Sequence, residues 1–192
     1  MHAPIFLGGL RWRERATDQR AVLAISQRLG LPDVVARVLA ARGVRSESVE
    51  QFLDPKLRDL MPDPSLLVDM DRAVARLAEA VINAEKIAVF GDYDVDGATA
   101  SALLRKFFFS VGIDIEVYIP DRMREGYGPT DAALRKLHAN GARVVVTVDC
   151  GTGAHDALAS AALIGLDVIV LDHHLAGPDL PTCFALVNPN RL

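Results

Sequence analysis

Three aspartates at alternate positions, Asp92-Tyr93-Asp94-Val95-Asp96, follow a short apolar run from Ile87 to Phe90 and end at Gly97. Three carboxylates within five residues repel one another unless positive charge lies between them. The chain must therefore fold so that a cation reaches them, or so that water keeps them apart. A divalent metal held by oxygen ligands answers the first need; an acidic surface turn capping the next helix answers the second. A calcium loop of the EF-hand kind is excluded. Counted from Asp92, position six is Gly97, but position twelve is Leu103 where a glutamate is needed, and a strand precedes the run.

The remainder of the second half has a strand–helix–strand rhythm. The pattern predicts strands at 87–92, 115–119, 144–149, 168–172 and 184–187, with helices at 97–112, 130–140 and 155–165. Apolar strands alternating with helices form βαβ units, so the expected fold class is α/β, a parallel sheet flanked by helices. Residues 1 to about 80 instead carry helical spacing, over 19–29, 32–41, a short segment from Ser46 stopped at Asp54-Pro55, and an amphipathic helix over 70–84. The expected organisation is a helical N-terminal region over 1–82 and a sheet domain over 83–192.

Half of the residues, 51%, are hydrophobic, enough for a sizeable core. No apolar run approaches a membrane span, and residues 1–9 lack the layout of a signal peptide. Two cysteines, Cys150 and Cys183, imply no disulfide framework and fit a reducing compartment; the expected location is the cytoplasm, without membrane association. Residues 1–45 carry eight arginines against Glu14, Asp18 and Asp33, a charge of +5, which leaves −9 of the net −4 for the remainder. An acidic body repels nucleic acid unless bound cations neutralise it. Trp12 is compatible with stacking on a base or with anchoring the N-terminal segment. His2, His138 and His155 read as terminus, helix surface and helix start.

Three predicted strands end on aspartate: Asp92, Asp149 and Asp172. In a parallel sheet all carboxyl ends share one edge, where open α/β folds place their sites. One such aspartate serves to cap a helix; three, each followed closely by Gly or His, point to a site that also draws in Asp94, Asp96 and the pair His173-His174. Carboxylates with imidazole suit Mn²⁺, Mg²⁺ or Zn²⁺, and a carboxylate such as Asp149 can bridge two cations at a phosphoryl centre. Adjacent histidines on an extended segment are expected to diverge, one ligating metal and the other free for a phosphate or for proton donation.

Phosphate is also suggested by the helix start near Gly97, with Thr99 and Ser101 beside free N–H groups. The loop from Pro120 to Gly128 opens on the same edge. In it Arg122 could pair with a phosphate and Tyr127 could stack on a base, while a solvent-facing ion pair suits Arg124 equally well. Gly151 and Gly153 would let backbone approach a ligand, or would simply form a turn.

Gly91-Asp92-Tyr93-Asp94-Val95-Asp96-Gly97, Val148-Asp149-Cys150-Gly151 and Asp172-His173-His174 resemble the first three motifs of the DHH phosphoesterases. The Gly-Asp-Tyr-Asp form, the Pro-Asp-Arg…Glu-Gly-Tyr-Gly loop, Val187-Asn188-Pro189-Asn190 and Phe52-Leu53-Asp54-Pro55 look like the RecJ family, single-strand-specific 5′→3′ DNA exonucleases of repair and recombination. The resemblance implies a two-metal nuclease using Mn²⁺ or Mg²⁺ on single-stranded DNA. Asp94 and Asp96 would be metal ligands, Asp149 the bridging ligand, His173 a ligand of the second metal and His174 a phosphate contact, with Asp92 a ligand or close neighbour. Phe90 stands where some DHH relatives carry a histidine, and Cys150 where Asn is frequent. RecJ proteins continue well beyond Asn190, with a fourth motif bearing another ligand, so the resemblance implies an N-terminal fragment. Two other readings compete: a DHH hydrolase of short oligonucleotides or cyclic dinucleotides, and a non-catalytic DNA-binding scaffold that has lost ligands. A receiver-like phospho-switch ranks below both, because it has no use for His173-His174 and no lysine follows Lys136.

Overall fold

The computed structural model describes residues 6–7, 10–11, 15 and 17–191, so Trp12 and His2 lie outside the described residues. The chain divides into two compact units, 1–62 and 63–192.

In the first unit, strands β1 (Phe6–Leu7) and β2 (Leu10–Arg11) form a short antiparallel pair, a departure from the all-helical expectation. Helices α1 (Gln19–Leu29) and α2 (Asp33–Ala41) follow. Asp18 caps α1 by accepting from Arg20 N, and Gly30 ends it in the left-handed conformation that glycine adopts without strain. Val22, Ile25, Ala36, Leu39 and Val49 make a small core of their own. Short helices α3 (Val49–Leu53) and α4 (Leu57–Leu60) complete the unit.

The second unit opens with α5 (Met70–Ile82), which belongs with the sheet by packing. The sheet has five strands in the order β4-β3-β5-β6-β7, all parallel: β3 (Lys86–Gly91), β4 (Glu116–Tyr118), β5 (Ala142–Val148), β6 (Asp167–Leu171) and β7 (Ala185–Val187). Between them run α6 (Val95–Ser110), α7 (Arg122–Glu125), α8 (Asp131–Ala139) and α9 (His155–Leu163). Successive residues of β3 point to opposite faces, as pleating requires. Ile87 and Val89 join Ala73, Ala80 and Phe108 of α5 and α6, whereas Ala88 and Phe90 join Leu134, Leu137, Leu158 and Ala161 of α8 and α9. With both faces covered, the strands are apolar throughout, which is why they read as continuous hydrophobic runs.

Candidate metal centre

β3, β5 and β6 are neighbours in mid-sheet, and their ends are level: Gly91 pairs with Val148, and Val148 with Leu171. The next residue of each strand is Asp92, Asp149 or Asp172. The backbone ladder carries these residues along, with Asp92 N donating to Val148 O, Asp149 N to Leu171 O and Asp172 N to Val187 O. Neighbouring strands lie about 5 Å apart, so register alone crowds three carboxylates into one row. All three are buried.

Two glycines seat the first motif. A Cβ on Gly97 would fall 2.3 Å from Asp92 O, and one on Gly91 would fall 2.2 Å from Ser101 Oγ. Only glycine lets α6 press its first turn against the Asp92 backbone. The helix starts at Val95, with Asp94 as its cap: Asp94 Oδ1 accepts from Asp96 N at 2.9 Å and Gly97 N at 3.1 Å. The N–H groups expected to cradle an anion are thus already held by a carboxylate. Thr99, exposed on the first turns of the helix, donates its hydroxyl to Val95 O at 2.7 Å within its own helix. Gly151, at φ 116°, is a packing glycine: a Cβ there would meet Thr147 Oγ1 at 2.7 Å and Val170 at 3.1 Å.

Donor atoms of Asp92, Asp94 and Asp149 lie within 4.8 Å of one another, and so do those of Asp149, His173 and His174. Asp149 is common to both groups. It adopts φ 61°, a left-handed conformation rare for a non-glycine residue, and Tyr127 Oη donates to its carbonyl at 3.2 Å. Oδ1 of Asp92 and Oδ1 of Asp149 are buried without a hydrogen-bond partner. Burial, reinforced by the Asp94 carboxyl, pushes Asp149 up to about 6; burial and the Asp94 charge raise Asp92. Asp94 itself is held below the usual carboxylate range, first by the Gly97 N–H. Crowded, buried carboxylate oxygens that accept no hydrogen bond are what a cation would relieve, so the residues present fit a divalent metal.

Asp172 plays a different part. Its Oδ2 accepts from Thr152 N at 3.0 Å, and its Oδ1 from His173 N at 2.7 Å, His174 N at 3.2 Å and His174 Nδ1 at 2.7 Å. Burial works to raise this carboxyl, but the bonds from Thr152 and His174 outweigh it and hold it at about 2. The hydrogen bond to Asp172 in turn raises His174. Because Asp172 gathers both backbone N–H groups, 173–174 is a turn, not an extended segment. The expected divergence of the two histidines is therefore corrected: their rings stack, centroids 4.7 Å apart and 18° between planes. His173 Nδ1 stands 3.4 Å from Asp149 Oδ1.

Asp96 belongs to neither triad, but with Asp149, Asp172 and His173 it lines an otherwise apolar groove of about 460 Å³ beside Leu67, Met70, Leu103 and Val187. Arg122, exposed at the start of α7, lays its guanidinium over the Tyr93 ring at 4.5 Å from the centroid. Tyr127 is half-exposed, its hydroxyl 3.2 Å from His174 Nδ1 and its ring edge-on to that histidine. Its polar end is therefore built into the centre, while its ring keeps accessible surface. Arg124 pairs loosely with Asp121 on the outside. The orienting role of Asp172 and the contacts of Thr152 and Asn188 were not visible in spacing, because they depend on the turn after β6.

The profile of the DHH family, N-terminal domain, matches residues 86–192. Across 95% of its length the chain is 37% identical to the single-stranded-DNA-specific exonuclease RecJ of Bacillus subtilis, covering 23% of that protein. It is also 37% identical to the Escherichia coli RecJ over 94% of its length, covering 30% of that protein. Two solved RecJ structures superimpose on it. One, the Mn²⁺ complex from Thermus thermophilus, matches 90% of this chain and 24% of its own, with a TM-score of 0.67 and 30% identity. The other, an exonuclease RecJ bound to manganese, matches 64% of this chain and 31% of its own, with a TM-score of 0.59 and 36% identity. The chain thus spans less than a third of the length of these curated relatives. With the family profile covering its sheet domain and RecJ similarity running along nearly all of it, the chain belongs to the DHH family.

Proposed function

We propose that this chain forms the DHH part of a metal-dependent exonuclease that hydrolyses phosphodiester bonds of single-stranded DNA in the 5′→3′ direction, in the cytoplasm, for repair and recombination. The observation that carries the reading is the sharing of Asp149 between two donor groups at one sheet edge. One group, Asp92, Asp94 and Asp149, would hold a first Mn²⁺ or Mg²⁺; the other, Asp149 with His173, would hold a second, with Asp96 at the neighbouring groove. When bound, such cations supply Lewis acidity toward a phosphoryl oxygen and toward the attacking water. The polarity and the repair role rest on the RecJ resemblance, and the relatives' names and bound manganese support substrate and metal.

The chain's own residues have separable tasks. Asp149, common to both donor groups, would serve both metal positions. His174, its Nδ1 committed to Asp172, can contact a phosphate or give a proton to the departing oxygen. Arg122 offers an exposed guanidinium for a phosphate, and the ring of Tyr127 offers a face for a base. Cations held there would also answer the charge problem, since without them a body of this acidity repels DNA.

The test is incubation of end-labelled single-stranded DNA with the chain and Mn²⁺, with an EDTA control. Release of mononucleotides from the 5′ end, abolished by EDTA, is expected. Hydrolysis of dinucleotides alone would move the substrate to short oligonucleotides. Absence of any hydrolysis by protein that binds Mn²⁺ would overturn the reading of this chain as sufficient for chemistry.

A further inference from the structure

The polar row at the sheet edge has a fourth member. Val187 pairs with Leu171, so the residue that follows it, Asn188, continues the line of Asp92, Asp149 and Asp172. Asn188 is 2% exposed, and its carboxamide is fully engaged. Its Nδ2 donates to Thr152 Oγ1 at 2.9 Å and to His174 O at 2.9 Å, and its Oδ1 accepts from Asn190 N at 2.7 Å. Asn190 then donates its own Nδ2 to His173 O. Two carboxamides therefore take the two consecutive carbonyls of the histidine pair, while Asp172 takes its two consecutive N–H groups.

This matters because the side-chain contacts hold each imidazole on one side only: Asp172 and Tyr127 on His174, Asp149 at 3.4 Å from His173. With the side chains of His173 and His174 57% and 50% exposed, the rest of their placement follows the backbone. The chemistry demands carboxamides. Asn188 supplies two donors and one acceptor at one point; an aspartate there would face the His174 carbonyl with an acceptor and add a fourth carboxylate to the row. Pro189, between the two asparagines, has a fixed φ and no N–H to satisfy, so it presets the turn that brings Asn190 back to His173.

We propose that Asn188 and Asn190 are positioning residues, a clasp on the carbonyls of His174 and His173 that keeps both imidazoles beside Asp149 and Asp172 in the arrangement that takes up a divalent cation. The proposal rests on the metal-dependent reading given above. Arg191 supplies an internal control. It lies in the same turn and donates from Nη1 to Asp69 Oδ2 at 2.8 Å and Leu186 O at 2.9 Å, with neither histidine involved.

The experiment compares Asn190→Ala, Asn188→Asp and Arg191→Ala with the unaltered 192-residue chain. Amide hydrogen exchange at His173 and His174 is read in metal-free protein, and Mn²⁺ affinity by paramagnetic resonance titration. The asparagine variants are expected to exchange several-fold faster at both histidines and to bind Mn²⁺ about tenfold more weakly or worse, the range found when groups supporting a metal ligand are removed. Arg191→Ala is expected to stay within about twofold on both readouts even if it melts earlier. Unchanged exchange in Asn190→Ala, a variant at an exposed site that should still fold, would overturn the clasp. So would equal loosening in Arg191→Ala, which would mark general fraying. If the unaltered chain took up no Mn²⁺, the metal reading would fall, and the exchange arm would still decide whether the clasp holds the histidines.

Discussion

The sheet unit contains two clusters of acids, at opposite ends of the same strands, and they are built to opposite rules. At the amino end of β6, Arg76 of α5 reaches between Asp167 and Glu85, with Nε 2.6 Å from Asp167 Oδ2 and Nη2 2.6 Å from Glu85 Oε2. The cation comes from the chain, and the arginine side chain is only 10% exposed. At the carboxyl end, Asp92, Asp94 and Asp149 face one another, and Oδ1 of Asp92 and Oδ1 of Asp149 accept no hydrogen bond, with the exposed His173 Nδ1 3.4 Å from the latter. Arg122 is nearby but spends its guanidinium on the Tyr93 ring. A fold able to neutralise acids internally at one end leaves them short of positive charge at the other. That contrast separates an ion cluster made for stability from one made to receive a metal.

The variant that breaks the contrast most completely is Asp149→Asn. Asparagine keeps the shape and tolerates the left-handed backbone at this position, so folding should survive. Removing the charge common to both donor groups is expected to abolish Mn²⁺ binding and hydrolysis while leaving the thermal midpoint equal or higher, because a repulsion has gone. Calorimetric titration with Mn²⁺ beside a melting curve checks both halves. Unchanged affinity would remove Asp149 from its bridging place.

Arg76→Leu is the mirror experiment. It strands two carboxylates that now share one cation; with their side chains 24% and 38% exposed, water recovers part of the loss, which should fall below the about 3–5 kcal/mol of a fully buried pair. Denaturant unfolding should report that loss, and Mn²⁺ affinity should stay within about twofold. A large fall in Mn²⁺ affinity with intact folding would mean that the two ends of the sheet are coupled and that the contrast is false.

The parts of this design that sequence carried well are those fixed by period and polarity. Ile87–Phe90, the valines of β5 and Val168–Val170 are apolar at every position because both sheet faces are covered, and that pattern gave the parallel sheet with its aspartates on one edge. What sequence carried poorly depends on turn geometry. Asp94 caps α6 and takes the Asp96 and Gly97 N–H groups of the expected anion cradle, and Thr99 donates its hydroxyl to Val95 O within the helix, contacts that follow from the cap and not from the spacing. The stacking of His173 on His174 could not be seen, since alternation applies to strands and Asp172 converts the segment to a turn. Asn188 was legible only as part of a family-like string; its bonds to Thr152 and His174 join residues far apart in sequence.

The mildest probe, acidity, sharpens the contrast within the metal-free site itself. Asp149, at about 6, lies above the ordinary aspartate value of about 3.9. The folded chain therefore holds a proton there that the unfolded chain has already lost, so this residue's contribution to stability falls as pH rises from about 4 to 6. Asp172, at about 2, works in the other sense: its contribution is present above about 4 and is lost as pH falls toward 2. Melting curves in EDTA should thus show stability from this pair greatest near pH 4–5, with the upper slope missing in Asp149→Asn. Metal reverses the upper slope. Mn²⁺ must displace the Asp149 proton, so its affinity should weaken below pH 6 by up to about tenfold per unit, and the stabilisation it confers should grow with pH over the window in which the metal-free protein loses it. If Asp149→Asn kept the wild-type slope between pH 4 and 6, titration of the buried Asp149 would not be its source.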